Sequence, residues 1–255
     1  MRKINKNLKE IPESLIVADE NLTHQRRKEL IKAGKYIKET KCDSRYKMPD
    51  IKDKLRTIYY SKCAYCESLV EQGHVEHYRP KDVYYWLAYS WDNLLYGCPT
   101  CNQNKGTDFD ILGEQVNPPK DTEDLSEINI WSSQVYDSIE KPSLLNPERD
   151  EMDDVFLFDI QGHIKDNNNT RADYTIKTCH LDRAFLVDER RKVLDDFMKE
   201  LSAELLGAKN KEEQKAIISS WVKMFLYRSK DEKNTYMAYR KAAVVWLDDI
   251  VKKII

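Results

Sequence analysis

Apolar positions recur every three or four residues through the last third of the chain. Leu181, Phe185, Leu186, Val193, Leu194, Phe197, Met198, Leu201 and Leu205 form one stripe, Ile217, Ile218, Trp221, Met224 and Phe225 a second, and Tyr239, Ala243, Trp246, Leu247, Ile250 and Val251 a third. A 3.6-residue period on a charged background predicts three amphipathic helices, and Asn210 with Glu213 has the capping-box spacing that starts the middle one. Nearer the start, Leu30, Ile31, Ala33 and Ile37 predict a surface helix over 24–41. Ile51, Leu55, Ile58 and Tyr59 predict another, with Asp50 of Pro49-Asp50 as its cap. Residues 1–23, interrupted by Pro12, read as an ordered but irregular arm.

The pattern changes in the middle. Residues 73–81 read as a short extended segment ended by Pro80, 83–89 are aromatic-rich, and the polar run 102–106 opens a short helix. Residues 107–150, with four prolines and little periodicity, read as a connector that wraps the body and ends in a turn at 143–150. Val155 to Ile164 alternates apolar and polar with Gly162 at its bend, which predicts a strand or hairpin, followed by a polar turn at 166–169. The expected class is α+β, mainly helical around a small ββα core. Four segments follow: an arm and helices packing on the core (1–62), the core (63–110), a connector with short strands (111–180) and a helical region suited to docking a partner (181–255).

Charged residues make up 34% of the 255, with only 7 Gly and 8 Pro, while 15 Tyr, 6 Phe and 5 Trp supply bulky core material, which reads as a folded, helix-rich, soluble protein. No apolar run approaches the ~20 residues of a membrane span, and the opening lacks a signal-peptide core. The expectation is a cytoplasmic protein without membrane contact. Six cysteines in a reducing compartment are poor disulfide candidates. Cys63/Cys66 and Cys98/Cys101 are C-x-x-C pairs, which leaves Cys42 and Cys179 as buried thiols. The formal net charge is −2, so affinity for nucleic acid must come from a local patch or a partner.

Four thiolates from two C-x-x-C knuckles suit a structural zinc with every coordination position filled, against four unligated thiols as the alternative. The 31 residues between Cys66 and Cys98 must then carry a substructure of their own. Phosphodiester hydrolysis needs a base for water, a divalent cation and preferably a fixed cation nearby. His77 can supply the base, Glu76 and Asn102 offer hard oxygen ligands for a magnesium-type ion, and Lys105 lies one helical turn beyond Asn102. Arg79 and Lys81 suit contact with a nucleic-acid phosphate or a solvated turn. His74 shares a strand face with Glu76 and not with His77, as a metal or substrate group or as a supporting surface histidine. Tyr84, Tyr85, Trp86, Tyr89 and Trp91 either stack on bases or pack under the knuckles. His24, His163 and His180 carry no comparable context and read as structural.

Taken together, C-x-x-C, Glu76-His77-x-Arg79-Pro80, Asn93 and C-x-x-C-Asn102-x-x-Lys105 resemble the zinc-bearing HNH endonucleases of the ββα-metal class. The opening MRKINK with Pro12-x-x-Leu15, KCAYCE, HVEHYRPK, YWLAYSWDNLL, CPTCNQNKG, LLNPERD and FLFDIQG are similar to the PtuB-like HNH proteins encoded with Septu and retron antiphage systems, over roughly residues 1–185. The resemblance implies an effector nuclease of antiphage defence that cuts DNA or RNA with one Mg²⁺ or Mn²⁺ beside a structural Zn²⁺. It implies His77 as general base, Asn93 fixing the loop and orienting that histidine, and Asn102 as a metal ligand. It also implies Glu76 where many such enzymes have aspartate, and Lys105 steadying the transition state. The implied partners are a PtuA-like ATPase and, in retron forms, a reverse transcriptase with its RNA–DNA product. Two other functions stay open: a zinc-stabilised nucleic-acid-binding module without chemistry, and a subunit whose residues 181–255 dock an ATPase.

Overall fold

The computed structural model describes residues 1–38 and 45–254, so Cys42 lies outside the described residues. The chain divides into two compact units, one of residues 3–151 and one of residues 1–2 with 152–255. The dividing point falls inside the segment 111–180 expected as a connector. Among the described residues no helix is long and apolar enough to cross a membrane.

In the unit 3–151 the irregular arm contains one short 3-10 turn, Glu13–Leu15, and leads to α1 (Leu22–Ala33). The Asn21 side chain caps α1 by accepting from the Thr23 and His24 amides. The helix stops earlier than its periodicity predicts because Gly34 takes a left-handed φ of 67° there. Helix α2 (Pro49–Ile58) begins on Pro49, whose missing N–H costs nothing at a first helical position. Asp50 does not cap α2 as expected; its carboxylate accepts from the Ser14 amide at 2.8 Å and hydroxyl at 2.7 Å, which ties the helix to the arm.

The core hairpin pairs β1 (His74–His77) antiparallel to β2 (Leu94–Gly97), with His74 opposite Gly97, Glu76 opposite Leu95 and His77 opposite Leu94. Helix α3 (Pro99–Lys105) follows immediately, starting at Pro99 rather than Asn102 because Cys98 acts as its N-cap, its sulfur accepting from the Cys101 amide. Strand, strand, helix is the ββα order expected. Between the strands, two 3-10 turns, Tyr85–Leu87 and Trp91–Asn93, carry the aromatic cluster. Tyr84, Tyr85, Trp86, Tyr89 and Trp91 are all buried, so packing accounts for them and base stacking does not. The connector is more ordered than its composition suggests, with a π-turn at Ser132–Tyr136 running into α4 (Asp137–Glu140).

In the other unit, β3 (Phe156–Phe158) and β4 (Ile164–Asp166) form the expected hairpin, bent at Gly162 with φ 94°. A Cβ at Gly162 would lie 2.3 Å from the Val187 carbonyl oxygen, so no other residue fits. Helix α5 (Thr170–Thr178), which the hydrophobic pattern did not reveal, is started by the Asn169 side chain accepting from the Ala172 amide. Helices α6 (Ala184–Leu205) and α7 (Lys211–Lys230) match the first two stripes, and Asn210 caps α7 through the Glu212 and Glu213 amides. The third stripe splits into α8 (Met237–Ala243) and α9 (Leu247–Ile254), joined by a tightened turn at Val244–Trp246.

Candidate functional site

Cys63 and Cys66 precede β1, and Cys98 and Cys101 begin α3, so the two knuckles meet at the open end of the hairpin. All four are buried and their sulfurs lie within 4.8 Å of one another, with Cys66 and Cys98 3.8 Å apart. A tetrahedral ion with bonds of about 2.3 Å to sulfur places its ligands about 3.8 Å apart, so the quartet fits zinc. Burial pushes the Cys63 thiol up, while hydrogen bonding with Cys101 and the other sulfurs draws Cys66 down. As thiolates in this dry volume the four would need a divalent cation to offset their charge. Cys179 is also buried and belongs to the other unit.

His77 closes β1 with its ring buried at 8% exposure and its Nε2 2.9 Å from the Ala88 carbonyl oxygen. A carbonyl only accepts, so Nε2 carries the proton and Nδ1 is left with the lone pair. The Tyr46 ring meets the imidazole edge-on at 4.6 Å. Burial, opposed by the Ala88 bond and aided by Lys81, Lys105 and Lys47, pushes the His77 pKa down to about 3. The imidazole is therefore neutral throughout the physiological range, as a proton acceptor must be.

Asn93 touches the backbone rather than the histidine ring. Its Oδ1 accepts from the Arg79 amide at 2.7 Å, and its Nδ2 donates to the Arg79 carbonyl at 3.0 Å and the Leu87 carbonyl at 3.2 Å. Its own carbonyl accepts from the Tyr78 amide at 2.9 Å. The asparagine thus pins the exit of β1 and the turn that presents the Ala88 carbonyl, which fixes His77 from both sides.

Glu76 and Lys105 form a buried pair, Nζ to Oε1 2.9 Å, and the same ammonium donates to the His77 carbonyl at 2.9 Å. Burial pushes the Glu76 pKa up and Lys105 and Lys81 oppose it, so the carboxylate is under-solvated despite its partner. Lys105 is 1% exposed with both bonds directed inward; it sets Glu76 and the end of β1 in place. Asn102 lies one turn earlier on α3, with its Nδ2 3.5 Å from His74 Nδ1. Gly97 makes this convergence possible: a Cβ there would stand 3.3 Å from Glu76 Cβ and 4.0 Å from Asn102 Cβ. The space between β1 and α3, with a carboxylate and an amide on its walls, fits a hard divalent ion.

Arg79, expected on phosphate, is fully buried. Its guanidinium donates to Glu140 at 2.7 Å, Ser132 at 2.5 Å and Asp137 at 2.9 Å, so a structural task consumes it. Lys81 is partly exposed, lies over the Tyr36 ring at 4.8 Å, and acts electrostatically on both Glu76 and His77. Sequence reasoning missed Lys47 and Lys52, the first beside His77 and His74 and the second beside His74. Both precede the cysteines, and only the fold brings them to the hairpin. With Lys81 they place positive charge around β1. His24 accepts from Arg27, and His163, in the other unit, faces Asp182.

Residues 63–108 match a family described as HNH endonuclease. Two curated proteins, each described as "Septu protein PtuB", are similar to the chain. The one from Bacillus mycoides (strain KBAB4) is 30% identical over 186 residues, 66% of this chain and 59% of that protein. The one from Bacillus thuringiensis is 40% identical over 78 residues, 29% of this chain and 30% of that protein. The matched part therefore spans less than two thirds of either relative's length.

Proposed function

We propose, from the premise that residues 63–108 are an HNH domain in a PtuB-like chain, that this protein is a metal-dependent endonuclease serving antiphage defence. The observation that carries the reading is the state of His77: a buried, neutral imidazole whose Nε2 proton is committed to the Ala88 carbonyl, which leaves Nδ1 to receive a proton. Nδ1 takes the proton from a water that attacks the scissile phosphorus in line. Asn93 holds the turn behind it, and Lys105 holds Glu76 and the strand end. Glu76 and Asn102 would hold Mg²⁺ or Mn²⁺, which when bound stabilises charge on the phosphate and the 3′-leaving oxygen. Lys47, Lys52 and Lys81 draw the polyanion to the hairpin. Zn²⁺ in the cysteine quartet holds the hairpin and α3 together without entering the chemistry.

The substrate is DNA or RNA, since every group named here addresses phosphate and none a base edge. Cationic residues at the mouth are few, so recruitment by a partner fits better than free association. The relatives are Septu proteins, so the partner proposed is a PtuA-like ATPase. The test is nicking of plasmid and of total RNA by the purified chain, with and without that ATPase, in Mg²⁺, in Mn²⁺ and in chelator. Nicking is expected only with divalent metal, and His77→Ala is expected to lose about 10²- to 10⁴-fold. Equal cleavage by His77→Ala would overturn the reading.

A further inference from the structure

One group at the hairpin has no job in the mechanism above. His74 lies at the exposed start of β1, on the strand face that carries Glu76, directly opposite Gly97 in the ladder. The absent side chain at Gly97 leaves Glu76 and Asn102 facing one shared space, and His74, paired with Gly97 on the same strand face, reaches it through its contact with Asn102. The His74 ring turns its Nδ1 toward the Asn102 amide at 3.5 Å, and that amide meets no other partner among the described residues. Oxygen and nitrogen of an amide are interchangeable by rotation. Turned over, Asn102 would present Oδ1 beside the Nδ1 lone pair. Neighbouring ligands of an octahedral ion with bonds of about 2.1 Å lie about 3 Å apart, close to the separation found here.

We infer that His74 is a third protein ligand of the divalent ion, through Nδ1, alongside Glu76 and Asn102. Its exposure puts the ion at the mouth of the hairpin, where the remaining positions face water and phosphate. An imidazole in the set also changes selectivity. Two oxygen ligands alone suit Mg²⁺, whereas a nitrogen ligand favours transition ions over Mg²⁺. The inference rests on the nuclease reading only for the use to which the ion is put, and its test does not require cleavage.

The experiment uses the full chain with its zinc in place. MnCl₂ is titrated while free Mn²⁺ is followed by electron paramagnetic resonance, and MgCl₂ is then added as competitor. Wild type is expected to prefer Mn²⁺ to Mg²⁺. His74→Ala, at an exposed position that folding does not need, is expected to weaken Mn²⁺ at least about tenfold and Mg²⁺ less. Gly97→Ala is expected to weaken both, since its Cβ enters the shared space. In histidine-labelled protein, substoichiometric Mn²⁺ is expected to broaden the His74 ring signals before those of His24, His163 and His180. Unchanged Mn²⁺ affinity in His74→Ala, or sharp His74 signals with Mn²⁺ bound, overturns the assignment. If metal-dependent nicking by wild type persists beside that result, the nuclease reading stands without His74; intact Mn²⁺ binding through His74 without any nicking does the reverse.

Discussion

Replacing Arg79 separates two accounts of one residue. As a phosphate contact it would be expendable for folding, and its loss would lower the salt slope of nucleic-acid binding by about one. As the structure has it, Arg79 is 0% exposed and donates to Glu140, also 0% exposed, and to Asp137 and Ser132. Removing one member of a buried pair leaves the other charge uncompensated, which costs about 3–5 kcal/mol. Glu140 keeps the Tyr84 hydroxyl and the Val116 amide as partners, so the lower half of that range applies to Arg79→Ala. In a unit of this size each kcal/mol lowers Tm by about 2–4 °C, for a drop of about 10 °C. Arg79→Lys keeps the charge but cannot fork to three acceptors, and should recover only part of the loss. The assay is thermal and urea unfolding followed by circular dichroism, beside nucleic-acid binding across a salt series. A Tm within about 2 °C of wild type together with a shallower salt slope would refute the structural account.

Two further outcomes follow from other parts of the molecule. Chelation of zinc, or Cys98→Ser, should unfold the hairpin and α3, because binding energy at such a site is folding energy. Removing Mg²⁺ or Mn²⁺ alone should stop cleavage with no change in circular dichroism, and equal effects of the two treatments would sink the division of labour. Asp92 tests the pH response. Burial raises its pKa to about 6, against the opposing effects of Arg149, Ser133 and Lys6, while the unfolded carboxyl titrates near the ordinary 3.8. Between those values the native state holds a proton that the unfolded chain has released. Stability should therefore fall by about 3 kcal/mol as pH rises from about 4 to 6, and this group adds no slope on either side. Urea unfolding at intervals across that range should show a flatter profile for Asp92→Asn; an identical slope would refute it.

The α+β class, the ββα order and the cysteine quartet were legible in the sequence because each rests on local spacing. Two C-x-x-C pairs specify a four-sulfur site wherever the chain between them goes. Likewise, stripes at 3.6-residue intervals specify α6 and α7 with no reference to neighbours. What escaped the reading is what depends on contacts across long separations. Arg79 resembles any surface arginine until Glu140, 61 positions away, is brought against it. Lys47, in the 3-10 turn before α2, and Lys52 of α2 gain meaning only when those elements land beside β1. Gly97 carries no signal in the sequence, and only the close approach of Glu76 and Asn102 explains why no side chain stands there. Helix α5 was hidden because its nine residues have few large apolar side chains to mark a stripe.

Two of the segments that made the resemblance extend beyond the HNH core, MRKINK and LLNPERD, share a physical task with α1. Residues 89–94 carry Asn93 and lie buried, so their carbonyls have no water to bond and need donors from elsewhere. Arg27 of α1 donates to the Tyr89 carbonyl at 2.8 Å. Lys6, in the opening MRKINK, donates to the Trp91 and Leu94 carbonyls at 2.7 Å each and stands 3.9 Å over the Trp91 ring. Arg149, in LLNPERD, donates to the Asp92 carbonyl, and Glu148 of the same motif takes the Lys6 ammonium at 3.2 Å. Three cations from three distant segments, Lys6 and Arg27 buried and Arg149 partly so, thus close on one loop. Each desolvated charge is costly alone, and each is balanced where it meets a carbonyl or a carboxylate. The consequence is that the position of Asn93, and through it the Ala88 carbonyl that holds His77, is set by residues outside 63–108. A core that matches the HNH endonuclease family over 46 residues therefore depends on the arm, α1 and the LLNPERD turn for the geometry around His77.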